Sequence, residues 1–281
     1  MRISATVRLA KVQVTVPEYP IFQPRLPARV RAAFTRVWLA VRMEKPGWPL
    51  DWDGAVNAWH VAGGVYRMGR REWLTEAGWR NAYDDGVRTV VDLRNFGEAR
   101  RRDTDPAVPE AAWSGMWIVS APTEEPGHPQ FRALCGPYLK DPAHYVHNVR
   151  LFPEKLVAVF RAIAQAAPAG GVVIHCAAGR DRSGMVAAML QDLAGDSDQQ
   201  ISGSYARAAR AINERYRTHG PPHDRERYVE ETELAPLLET RGRAVVAFVR
   251  ELDTADFLLR HGLTDAELVA VRSVLGVTVA Q

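Results

Sequence analysis

The sequence predicts an α/β protein: a mainly parallel sheet flanked by helices, followed by a largely helical C-terminal part. Three observations carry this. Two runs rich in β-branched residues, 87–95 and 172–174, read as buried strands. Segments with apolar residues at helical spacing alternate with them, as crossover connections between parallel strands require. From residue 198 onward the periodic segments are helical.

Taken in order, residues 1–24 alternate polar and apolar through Val7, Leu9, Val12, Val14 and Val16, which predicts a strand ended by Pro17 and Pro20. Residues 28–43 repeat Val30, Phe34, Val37 and Val41 at helical spacing among arginines. A basic amphipathic helix of this kind either packs its stripe on a core, the commoner case, or makes a weak contact with an anionic membrane surface. Pro46, Gly47 and Pro49 then break the chain. Residues 1–53 are thus expected to be an N-terminal extension, and 54–281 the main domain. "GGVYRMG" (63–69) reads as a short strand leaving a turn. "LTEAGWRNAYDDG" (74–86) reads as a helix with Thr75 as N-cap. "VRTVVDLRN" (87–95) is a buried strand ending in Asp92 and Arg94, and "MWIVSAP" (116–122) another strand. Pro and Gly between 122 and 142 predict a loop. Residues 152–171 form a helix opened by Pro153, with Leu156, Phe160 and Ile163 on one face. A helix over 183–195 follows the strand 172–174. Ile201, Tyr205, Ala208, Ile212 and Tyr216 stripe the next helix, "THGPPHD" interrupts it, and "TDAE" (264–267) is a capping box opening the last.

Composition excludes several classes. A formal charge of +3 supplies no global field for nucleic acid. The basic side is nearly all arginine, lysine standing only at Lys11, Lys45, Lys140 and Lys155, and arginine suits bidentate oxyanion contacts. Two cysteines, Cys135 and Cys176, are too few for a disulfide framework and fit a reducing compartment. No run reaches the ~18 apolar residues of a membrane span, and the N-terminus lacks a signal-peptide layout. A cytoplasmic protein is expected.

The chemistry concentrates in "VVIHCAAGRDRSG" (172–184), which starts as a buried strand and ends as a helix. Unpartnered N–H groups at such a helix start form a cradle for a phosphate-sized dianion. The small Ala177, Ala178 and Gly179 let the backbone approach closely, so residues 177–182, Arg180 and Asp181 included, are the candidate phosphate-binding loop. The same amides stabilise a thiolate at Cys176. Arg182, with five residues between it and Cys176, presents a planar fork that fits two phosphoryl oxygens. Ser183 can donate a hydrogen bond to the sulfur. A leaving alkoxide or phenoxide needs a proton donor, for which Asp181 is the first candidate and Asp92, at the end of a neighbouring strand, the rival. Asp181 is also placed to serve as a helix N-cap. His175 is read as orienting the loop rather than moving protons.

"HCAAGRDRSG" (175–184) resembles the signature loop of the cysteine-dependent protein tyrosine phosphatase superfamily. More narrowly it is similar to the atypical bacterial tyrosine phosphatases whose loop reads His-Cys-x-x-Gly-Lys-Asp-Arg-Thr-Gly, a group with tyrosine, serine/threonine and phosphoinositide phosphatase activities. "GGVYRMG", "GVRTVVDLRN" (86–95) and "ADFLLRHGLTDAELVAVRSVL" (255–275) are similar to its other motifs, so the resemblance spans roughly residues 54–276. It implies a tyrosine-phosphatase-like fold, Cys176 as nucleophile, Arg182 as phosphate clamp and Asp181 as acid/base. Where the family's loop lysine is linked to phosphoinositide preference this chain has Arg180, and Ser183 stands where threonine is usual.

The expectation is therefore a hydrolase: a phosphatase that cleaves phosphomonoesters through a phosphocysteine intermediate, with no metal and no cofactor. Its expected substrate is protein phosphotyrosine. The alternatives are a phosphoinositide or inositol phosphate, and a non-catalytic module that binds phospho-groups. His144 with His147, and His219 with His223, have metal-like spacing that nothing in the sequence completes. The arginines between 198 and 240, Arg207 to Arg227, belong either to a helical lid over the site or to a solvated helix face.

Overall fold

In the computed structural model the described residues are 6–9, 12–15 and 47–277. The chain divides into two units, residues 1–44 and 45–281. In the first, strands β1 (Thr6–Leu9) and β2 (Val12–Thr15) pair antiparallel, Leu9 opposite Val12. The single strand expected here is two. The signal lies in the parity, since the apolar positions shift from odd to even between Leu9 and Val12. The helix expected over 28–43 lies outside the described residues.

The second unit holds a five-stranded sheet in the order β3-β4-β7-β5-β6: β3 Trp59–Ala62, β4 Val65–Met68, β5 Val87–Asp92, β6 Trp117–Ser120 and β7 Gly171–His175. β3 runs antiparallel to β4, and the other neighbours are parallel. Alternate strand residues feed two cores. Val90 and Val173 face Leu50, Trp52, Leu74 and Trp79, so residues just before the expected boundary at 53 pack into this unit. Val91, Val172 and Ile174 face the larger core of Phe131, Leu156, Phe160 and Met189.

Nine α-helices surround the sheet among the described residues. α1 (Glu76–Asp84) starts where the Thr75 hydroxyl accepts from the Gly78 amide. Within the stretch expected to be a loop, Pro129–Cys135 forms α2, because Phe131 and Cys135 recur one turn apart and both are buried. Cys135 therefore ends a helix instead of lying in a loop. α3 (Tyr145–Leu151) precedes α4 (Pro153–Ala166), and α5 (Arg182–Leu193) leaves the central strand. α6 (Asp198–His219) and α7 (Glu231–Leu252) pack on each other across the coil 220–230. α8 (Thr254–Arg260) and α9 (Asp265–Val274) close the chain, the latter with the expected Thr264–Glu267 capping box. No helix among the described residues is long and apolar enough to cross a membrane.

Candidate active site

The parallel register ends in one row. Met68 lies opposite His175, His175 opposite Asp92, and Asp92 opposite Ser120. A parallel sheet offers its ligand crevice at this carboxyl edge. The connections leaving it carry Arg70, the stretch Arg94–Glu98, Glu124, and Cys176–Arg182. They border a cleft of about 1170 Å³.

The loop after β7 has its carbonyls tied outward. Arg70 N donates to Ala177 O (3.1 Å). Asn57 Nδ2 donates to Ala178 O and Gly179 O (both 2.9 Å), and Arg67 Nη2 to Gly179 O (2.8 Å) and Arg180 O (3.1 Å). Met185 N donates to Asp181 O within α5. Because each peptide unit is planar, turning a carbonyl out turns the next N–H in. The anion cradle is thus enforced from behind by Asn57 and Arg67. Gly179 sits at φ +69°, and a Cβ there would lie 2.6 Å from the backbone of Met68 and Gly69. Only glycine fits.

Cys176 lies at the base of this cradle, with Sγ 3.5 Å from the Ser183 hydroxyl. Arg182 shares the cleft and is already engaged. Its Nη1 and Nη2 donate to the two oxygens of Glu98 (both 2.7 Å), and Nη1 also lies 3.5 Å from Glu124. Burial opposes ionisation of Glu98, but the Arg182 hydrogen bonds prevail and hold its carboxyl below the usual range. Glu124 is completely buried, and that burial, against the opposing pull of Arg182, pushes its carboxyl up.

Asp92 is committed elsewhere. Its two oxygens accept from Arg94 Nε (2.9 Å) and Nη2 (2.7 Å), while Arg94 also grips Glu72 at 2.7 and 2.9 Å. Burial works against the Asp92 charge, yet Arg94 overcomes it and lowers the pKa to about 2. His175 Nε2 lies 3.5 Å from Asp92, and Nδ1 lies 3.4 Å from the Cys176 carbonyl. Burial lowers the His175 pKa to about 4, so the ring is neutral near pH 7 and braces the loop.

Asp181 borders the cleft and does not cap α5 with its side chain. Burial raises its pKa, reinforced by Glu226 and opposed by Arg180. Arg180 is turned away from the cradle: its Nε contacts both Asp181 oxygens (3.0 and 3.2 Å), and its Nη atoms pair with Glu226 (2.8 and 3.2 Å). Its guanidinium, expected among the phosphate-binding groups, is engaged by Asp181 and by Glu226 of the coil 220–230. That coil and the end of α6 roof the cleft through Tyr216, His223 and Glu226. The cradle also brings in Asn57, Arg67, Glu98, Glu124 and Glu226, to which the sequence reading gave no role. Arg67 lay in plain view in "GGVYRMG", while Asn57 and Glu226 sit 121 and 46 residues from their partners. Among the described residues no three His, Cys, Asp or Glu side chains assemble as a metal-ligand set.

The tyrosine phosphatase family model matches residues 56–276. Among solved structures, TpbA of P. aeruginosa is 18% identical, the match covering 78% of this chain and 98% of that one at a TM-score of 0.39. The core catalytic domain of the PP-IP phosphatase SIW14 from S. cerevisiae, in complex with citrate, is 15% identical over 66% of this chain and 91% of that one, at a TM-score of 0.35. Among curated proteins none matches.

Proposed function

The chain belongs to the tyrosine phosphatase family, and from that premise we propose that it hydrolyses phosphomonoesters through a phosphocysteine intermediate. The observation that carries this is the juxtaposition in one cleft of Cys176, a loop whose carbonyls are tied back by Asn57 and Arg67, and Arg182. The Cys176 thiolate attacks phosphorus, the P–O ester bond breaks, and its electron pair leaves on the alkoxide or phenoxide. Asp181, whose pKa is raised by burial, hands its proton to that oxygen. Water then attacks the S–P bond, Asp181 takes a proton back, and the sulfur leaves with the Ser183 hydroxyl stabilising its charge. Arg182 grips equatorial phosphoryl oxygens with the N–H groups that Glu98 and Glu124 leave free, its plane held by those carboxylates. With Asp92 ionised inside the Arg94 clamp, the acid role falls to Asp181.

For the substrate, protein phosphotyrosine is the first reading. A phosphoinositide or inositol phosphate is the second, favoured by the arginines 70, 100, 102, 182, 215 and 225 along the cleft. Acid quench of the full chain with a phosphoryl-labelled aryl phosphate tests the mechanism. Label is expected on Cys176 and absent from Cys176→Ser, whose turnover should fall by about 10⁴-fold or more. Full turnover without Cys176 would end the proposal.

A further inference from the structure

The cleft holds a second concentration of positive charge beside the loop. Arg100 and Arg102 follow β5, Arg215 comes from α6, Arg70 follows β4, and all four line the cleft with Trp73. Arg70 is neutralised, its Nη2 on Asp105 (2.5 Å) and its Nε on Glu72 (3.3 Å). Among the described residues Arg100, Arg102 and Arg215 have no such ion pair. Arg215 is nonetheless held: its Cζ stacks 4.2 Å from the centre of the Trp73 ring, which leaves the N–H edges of the guanidinium open. The Arg70 Cζ lies 5.9 Å from the same ring. Asp105, buried, accepts from both Arg70 and the Arg102 amide (2.7 Å), and so ties the turn carrying Arg102 to this group.

Holding unneutralised guanidiniums together costs free energy that an arriving anion returns. Consistently, burial lowers the Arg215 pKa, and the nearby Arg102 and Arg70 lower it further against the opposing pull of Asp105. The cluster is also close to the catalytic loop. The Arg70 amide bonds the Ala177 carbonyl directly, so one arginine side chain separates the loop from Trp73 and Arg215. That spacing suits a second group on the same small scaffold better than one on a distant residue of an extended peptide.

We propose that Arg102 and Arg215, mounted on Trp73 and Asp105, form a second phosphoryl subsite, and that the cleft takes a compact phosphomonoester bearing two phosphoryl groups. One sits over Cys176 and the other between Arg102 and Arg215. This rests on the hydrolytic reading above and specifies its substrate class. A soluble polyol bisphosphate and a lipid headgroup carry the same chemistry.

The test compares kcat/KM of the full chain for a soluble inositol bisphosphate, the same headgroup in lipid vesicles, a doubly phosphorylated tyrosine peptide, and p-nitrophenyl phosphate. Arg102→Gln and Arg215→Gln should each lower the preference for an inositol bisphosphate over the aryl monophosphate by about tenfold or more. A drop confined to the soluble or to the vesicle arm identifies the source and supports the subsite. An unchanged preference in both arms overturns it, as does a preference loss confined to the peptide. Calorimetry of the soluble bisphosphate with Cys176→Ser reads the subsite without turnover. Its affinity should weaken about tenfold when Arg215→Gln is added, and unchanged affinity overturns the proposal. If no phosphate ester is turned over while that weakening is seen, the hydrolytic reading fails and the subsite stands.

Discussion

The floor of the cleft and its rim use the same residue type in opposite ways. On the floor, Arg67, Arg94 and Arg180 are buried, and each has a committed structural partner: loop carbonyls for Arg67, Asp92 and Glu72 for Arg94, Asp181 and Glu226 for Arg180. On the rim, Arg100 and Arg102 are exposed and, among the described residues, have no ion pair. A buried guanidinium without partners is too costly to keep, so on the floor arginine is structural by necessity. At the rim water covers that cost, and the same side chain stays available to a ligand. Arg182 stands between the two cases. It is buried yet held by carboxylates, Glu98 and Glu124, on only part of its donor set.

The comparison breaks most sharply at Asp181. Asp181→Asn should slow esters with poor leaving groups by about 10²–10⁴-fold and activated aryl phosphates far less. Because burial raises the Asp181 pKa, the acid form persists above the usual carboxylate range, and wild-type turnover of the poor leaving groups should decline as pH rises through that raised value. The asparagine variant should lack this alkaline limb; equal slowing of both ester classes with the limb intact would remove Asp181 from the acid role.

A smaller effect belongs to the Arg94 clamp. Asp92 has a folded pKa of about 2, depressed below its ordinary value, so it contributes stability that is present above the ordinary carboxylate range and lost as pH falls toward 2. One such shift is worth on the order of 2 kcal/mol. Denaturant unfolding of wild type and Asp92→Asn should show the gap between them close as pH falls from about 4 to about 2. A gap independent of pH would contradict the clamp. The smallest effect is expected at the rim, where Arg102→Gln should alter unfolding free energy by no more than about 0.5 kcal/mol, measured in urea. A large loss would make the rim arginines structural as well and erase the contrast.

The two cysteines show how far sequence reading reaches. Both are buried, but Cys176 borders the cleft, whereas Cys135 ends α2 inside the core with its thiol pushed up to about 11 by burial and then by Glu124. The strand-to-helix setting of Cys176 marked it in advance, since the elements that make the cradle are consecutive in the chain. The helix around Cys135 was hidden, because prolines and glycines on either side outweigh a two-turn apolar pattern. Strand β3 was likewise unmarked: its four residues pair antiparallel with β4, and the alternation over so short a run is too weak to read.

Local sequence determined the strand–loop–helix around Cys176, the order of the parallel strands' flanking elements and most helix starts, because capping, β-branching and residue spacing act within a few positions of each other. Tertiary structure alone decided that the pKa values of the two aspartates move in opposite directions, since that depends on Arg94 reaching Asp92 and on the burial of Asp181, reinforced by Glu226 from the coil 220–230. It also decided which arginines have carboxylate partners among the described residues and which do not. Charge and burial are properties of a neighbourhood, and a neighbourhood is assembled from residues the chain keeps far apart.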